Sequence, residues 1–235
     1  MIKLFVKNLQ TAVFIPNLDL SNKIVFVSQL NQELANFFDG DPIILPIPYD
    51  APLDVPRIIL KNKDESYTLN ISQNRVDLVY NEKDLIDNLP KATLSELVPS
   101  LIDKSILVIQ SLKNLMSVRI IRLGFIATLE GQTPEKATIY IRNLFLKEKA
   151  LFNDLYDLNF GILKKELLNS IQSNIWFKVT PLKDEYSQDE RIVMVQFDIN
   201  TEYEKFLNLN ANDAYNYLEA AFRHIEDNLP DYLED

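Results

Sequence analysis

The chain contains no cysteine. That removes disulfides, thiolate nucleophiles, zinc–thiolate clusters and iron–sulfur centres together, and it fits a reducing compartment. Histidine occurs once, as His224. A Ser–His or Cys–His catalytic arrangement would have to use that residue, and no HExxH or other helical pair of metal-binding histidines can be written. Glycine occurs only four times in 235 residues. Neither GxGxxG nor a P-loop is present, which excludes the common nucleotide cradles.

Long apolar runs are missing too. The richest, SILVIQSL at 105–112, is far short of the roughly 18 residues that suggest a membrane span. MIKLFVKNLQ has no apolar run of signal-peptide length before Lys7, and no small-residue cleavage site follows. These features predict a cytoplasmic protein that neither enters a membrane nor is exported. Basic residues are in the minority, 24 against 34 acids, for a net charge of -10. Phosphate backbones are bound chiefly by clustered Lys and Arg, so nucleic acid is not the expected partner.

What is present is enough to build a core: 47% of the residues are hydrophobic and 10% aromatic. Apolar alternation at 2–6 and TAVFI at 11–15 predict strand. Ser21 is placed to cap a helix carrying Val27, Leu30, Leu34 and Phe37, with Gly40 ending it. Pro42, Pro46, Pro48, Pro52 and Pro56 then make an extended connector. Three short strands are predicted at about 56–61, 67–72 and 75–80, then a helix opened by Thr93 or Ser95 that must accommodate Pro99 in its first turn or at a kink.

A long strand follows at 118–131, with a helix from Pro134 through Ile141 and Phe145. YDLNFGILKK, IWFKVT at 175–180 and RIVMVQFDIN at 191–200 read as strands. Asn210 or Asn212 caps a last helix with the stripe Ala214, Tyr217, Leu218, Ala221, Ile225 and Leu229. The pattern predicts an α+β fold: antiparallel sheets with helices packed on one face. It offers three units: residues 1–55 as a strand–helix segment and connector, and 56–150 and 151–235 as two similar βββα halves, either separate or joined in one domain. Their residues do not align with one another.

YTLNISQNRVDLVYN at 67–81 is the most informative stretch. With Gln73-Asn74 at the tip, Tyr67 pairs with Tyr80, Leu69 with Leu78, Asn70 with Asp77 and Ile71 with Val76, so every apolar residue falls on one face. Extending the ladder backwards sets Leu60 opposite Tyr67 and Ile58 opposite Leu69. The other face then carries Arg57, Asn70 and Asp77 in one row, with Arg75 diagonal to them. A solvated polar ladder is the default for such a face, and the same residues, with Trp176, form the candidate partner surface.

Chemistry is sparse. Asp77 and Asp198 are strand-borne acids of the kind that can hold magnesium, yet no nuclease-like spacing joins them. With His224 they are the enzyme candidates, against a background in which most acids simply face solvent. His224 sits beside the apolar stripe of the last helix, where an edge-of-core role is the plainer reading. No metal site and no cofactor are predicted. Arg119 and Arg122 interrupt an apolar strand on opposite faces, so one is expected to be buried and paired with an acid of a facing helix. Trp176 shares a strand face with Lys178 and Thr180, as a residue under a helix or as an exposed contact.

PRIILKNKDESYTLNISQNRVDLVYN at 56–81, the RIIRLGFIATL strand, and VQFDINTEYEKF with its following acidic helix resemble an uncharacterised family of α+β proteins scattered sporadically among bacteria and archaea. The resemblance covers about residues 55–230 through loose strand and turn patterns. Similar chains often show an aspartate-rich strand end, and this one reads Asp198-Ile199-Asn200 there, one acid short. The resemblance implies no specific activity, and the sporadic distribution is compatible with accessory roles in defence or toxin–antitoxin systems.

The resulting expectation is a non-catalytic intracellular interaction protein that binds a protein partner or itself as a homodimer. The acidic segment EDNLPDYLED is expected outside the dimer interface. A carboxylate- or metal-dependent enzyme and a small-ligand binding domain are the alternatives.

Overall fold

Strand β1 (Leu4–Phe14) runs through the middle of the sheet, and the rest of the chain is arranged around it. In the computed structural model the residues described are 2–48, 50–82, 92–146, 155, 157–182, 190–202 and 207–233. Among them, α1 (Lys23–Glu33), β2 (Ile43–Ile44), β3 (Ile58–Lys61), β4 (Tyr67–Ile71), β5 (Arg75–Asn81) and α2 (Leu94–Leu115) precede β6 (Arg122–Gln132). Then come α3 (Ala137–Phe145), β7 (Phe160–Leu168), β8 (Ile171–Leu182), β9 (Ile192–Thr201) and α4 (Ala211–Leu233).

The strands form one nine-stranded antiparallel sheet in the order β2-β3-β4-β5-β1-β6-β9-β8-β7, an α+β fold with helices beside the sheet. Two similar βββα halves are not confirmed. β1 pairs with β5 on one side and β6 on the other, which joins the strands on both sides into one sheet. No described helix is long and apolar enough to cross a membrane.

The predicted hairpin register is the observed one from Tyr67–Tyr80 to Ile71–Val76, and the Ser72 N–H donates to the Arg75 carbonyl at 2.9 Å to close the turn. β3 is shifted by two residues from the expected register: Ile58 lies opposite Ile71 and Leu60 opposite Leu69. The β3–β4 turn is the cause. Asn62 accepts the Tyr67 N–H on its side-chain oxygen at 2.8 Å and Glu65 takes a positive φ of 56°, closing a loop two residues longer than the expected pairing implied. A shift of two preserves side-chain parity, so Ile58 and Leu60 remain buried.

Local chemistry explains the helix ends. Asn22, rather than Ser21, caps α1 by accepting the Val25 N–H at 3.2 Å. That helix stops at Leu34, where Ala35 and Asn36 take left-handed φ values of 50° and 57°. Gly40 instead allows a close backbone approach, since a Cβ there would stand 2.7 Å from the Lys61 carbonyl oxygen, to which the Gly40 N–H donates. Thr93 opens α2, its N–H donating to the Glu96 carboxylate at 2.7 Å, which holds the Glu96 pKa below its usual value. Pro99 falls in the second turn of a continuous helix. Asn210 and Asp213 cap α4 reciprocally, at 3.0 and 2.9 Å. β6 begins at Arg122, and the segment before it is tied to the chain ahead of α4 by a bridge between Ile120 and Leu209. β7 begins at Phe160, later than expected, and Tyr156 lies outside the described residues.

The core sits between the helices and one face of the sheet. Leu9, Leu69, Phe125, Phe177, Phe197 and Tyr217 are all fully buried. Thr11 of β1 reaches Ser105 of α2 at 2.6 Å between hydroxyl oxygens, a buried polar tie inside this layer. Phe145 of α3 stacks on Phe160, and Tyr232 near the end of α4 stacks on Phe177 with ring centroids 4.4 Å apart. The C-terminal segment is therefore helix packed on the core as far as Leu233, which is 3% exposed, and not a charged tail.

Candidate functional site

Side chains alternate across a strand, so the residues between those core positions point to the face turned away from the helices. Pairing sets Asn70, Asp77, Ala12, Gly124, Asn200 and Asn174 in one row across six strands. The next row contains Val79, Gln10, Ile126, Asp198, Trp176 and Leu163. On the other side of the first row, Arg75, Phe14 and Arg122 stand side by side.

Asn70, Arg75, Asp77, Asp198 and Trp176 thus share one face, although they come from four separate strands. Asp77 Oδ1 accepts from Arg75 Nε at 2.7 Å and from Gln10 Nε2 at 2.9 Å. Burial pushes the Asp77 carboxyl above its usual range, and the Arg75 charge works against that shift. Trp176 is 39% exposed, with Lys178 5.8 Å from its ring centroid. Arg57 is not displayed with them. It is 3% exposed, and its guanidinium donates to the carbonyls of Val55 at 2.6 Å, Pro52 at 3.3 Å and Ala51 at 3.4 Å. It braces the proline-rich connector.

The two acids do not form a metal pair. β1 and β6 lie between β5 and β9, so about three strand spacings, roughly 14 Å, separate Asp77 from Asp198. Among the described residues no three His, Asp or Glu side chains gather as metal ligands. His224 is on the other side of the sheet altogether. It is 7% exposed, with Nδ1 3.8 Å from Glu166 Oε1 and Nε2 buried without a hydrogen-bond partner. Burial holds its pKa below the ordinary value. It borders a cleft of about 490 Å³ between α4 and the β7–β8 turn. A larger cavity of about 1010 Å³, lined by Lys3, Tyr140, Asn143 and Arg191 among others, includes none of the residues singled out from the sequence.

Arg122 is the residue that gains most from the tertiary structure. Sequence alternation pointed to a buried arginine paired with a helix acid. Instead, its Nη2 donates to Asn200 Oδ1 at 2.7 Å across the β6–β9 ladder, and its guanidinium lies 4.8 Å from the Phe14 ring centroid. Arg75 approaches the same ring at 5.1 Å. Asn200, 8% exposed, also donates from Nδ2 to Asp198 Oδ1 at 3.0 Å. No described carboxylate lies within ion-pair distance of Arg122, and its Nε is buried without a partner. Gly124 and Ala12, both buried, pair next to it in the first row. Phe14, Asn200 and Gly124 could not be singled out from sequence, because only strand pairing makes them neighbours.

No family model and no curated protein sequence matches the chain. A solved structure, that of a lombricine kinase, aligns with 98% of this chain and 70% of its own at 9% identity and a TM-score of 0.34, a likeness that supports no statement about function.

Proposed function

We propose that the protein is a non-catalytic interaction protein, and that the centre of the helix-distal face takes an extended protein segment carrying a carboxylate. The observation that carries this reading is Arg122: an oriented guanidinium, held by Asn200 and Phe14, with no acidic partner among the described residues. A planar guanidinium fixed this way meets a carboxylate in a two-pronged geometry. Its orientation is set by the fold before the partner arrives, which reduces the ordering cost of binding. Trp176 and Ile126 in the adjoining row supply apolar contact area.

The test uses immobilised extended peptides, each presented with its acidic residues and again with the corresponding amides. The wild-type chain should retain the acidic versions preferentially, and Arg122→Ala should lose that preference. Equal retention of acids and amides, or a preference unchanged in Arg122→Ala, would overturn the reading.

A further inference from the structure

The two edges of the sheet are unlike. β2 is two residues long, between Pro42 and Pro46, which is how natural sheets close an edge. β7 is nine residues long without proline, and its residues 161 to 165 are all exposed. Leu163 is 45% and Leu167 64% exposed, and Trp176 stands directly beside Leu163. The β7–β8 turn fixes which backbone groups look outward. Asn169 and Ser170 have φ of 46° and 65°, a left-handed pair suited to a tight two-residue turn between Leu168 and Ile171. Gln172 turns its carbonyl to β9, accepting from the Glu202 N–H, so Ile171 and Ser173 face β7. Antiparallel ladders alternate. The even-numbered residues of β7 therefore bond β8, and the backbone groups of Gly161, Leu163 and Leu167 turn to the outer edge.

We propose that a second copy of this chain docks on that edge, its own β7 pairing antiparallel about a two-fold axis at Lys165 to join the two sheets. Self-complementarity selects this register. It sets Leu163 opposite Leu167 of the other copy twice, on the face where Trp176 already flanks Leu163. It also sets Lys164 opposite Glu166 of the other copy twice, on the helix face, where these two already form an ion pair within one strand. Moving the axis to Lys164 or to Glu166 sets Lys165 opposite Leu163 or Leu167 and loses both the apolar pairs and the Lys164–Glu166 pairs. Lysines on an edge strand ordinarily discourage pairing. Here Lys164 meets an acid, and the one like-charge pair, at Lys165, is offset because each Lys165 is ion-paired with Glu202. The contact lies at the rim of the sheet, away from Arg122, so it stands or falls independently of the peptide-binding reading.

Light scattering and cysteine cross-linking test it on the full chain. The wild type should reach twice the monomer mass as its concentration rises to about 100 μM, the weak range suited to a strand-pair interface below standard size. Hydrogen-bonded antiparallel partners stand about 5.5 Å apart at Cα, within disulfide reach, and the chain has no cysteine of its own. Mild oxidation of Lys165→Cys should therefore give a covalent dimer. Leu163→Cys mixed with Leu167→Cys should give a cross-linked pair that neither gives alone. A monomer mass at every concentration overturns the proposal. So does a dimer in which Lys165→Cys fails to cross-link, or in which Lys164→Glu leaves the association unchanged; the first would assign the contact to another surface, including the sheet face itself.

Discussion

Leu69 lies opposite Leu78 in the β4–β5 ladder, both on the core face and both with 2% exposure or less. The next residue, Asn70, faces Asp77 on the far side of the sheet and is half-buried. Leu69→Asp should therefore cost at least about 3 kcal/mol by placing an unpaired charge in the core, and Asn70→Ala less than about 1 kcal/mol. Urea denaturation of the two variants checks this; equal losses would contradict the observed faces.

His224 should make stability fall on acidification. Its pKa in the folded chain is lowered, chiefly by burial, with Glu166 and Asp227 opposing that shift and Lys164 reinforcing it. The unfolded chain then binds the proton more readily, so the histidine's contribution is intact above the unfolded pKa of about 6.5 and declines as pH falls below it. Comparing wild type with His224→Gln between about pH 7.5 and 5 isolates the effect. The wild type should lose more stability than the variant over that window; parallel curves would show that His224 titrates alike in both states.

Divalent ions should leave the melting temperature unchanged. Asp77 is held by Arg75 and Gln10, and Asp198 is three strands away beside Asn200. A ligand that binds only the folded state raises its melting temperature by mass action. A clear rise with millimolar magnesium, manganese or calcium would restore the carboxylate-enzyme alternative.

The end of α4 should behave as core. Tyr232 stacks on Phe177 and meets Phe197 edge-on at 5.4 Å, so Tyr232→Ala should cost about 2 kcal/mol, a little less than truncating a fully buried aromatic. Removing residues 230–235 would consequently unsettle the fold before it reported on any interface. Thermal unfolding of Tyr232→Ala decides the point, and a change within a few tenths of a kcal/mol would mean that the helix end is not anchored as described.

Sequence by itself determined the fold class and most of the elements. Period-two and helical spacing of apolar residues is a local signal, and in the Tyr67–Asn81 hairpin the turn and the alternation admit only one pairing that buries every apolar residue. The start of α2 was legible to within two residues, as Thr93 or Ser95, and the folded chain places the capping box at Thr93. Tertiary structure alone decided the rest. The strand order that brings β1 between β5 and β6 depends on contacts between residues 61 to 127 positions apart, and no short-range pattern encodes them. The same long-range pairing places Phe14, Arg122 and Asn200 side by side, buries Arg57 under its own connector, and leaves β7 at the edge. Whether a polar strand residue becomes a brace, a neighbour of a bound partner or part of an exposed rim depends on which strand lies next to it, and that is a property of the folded sheet.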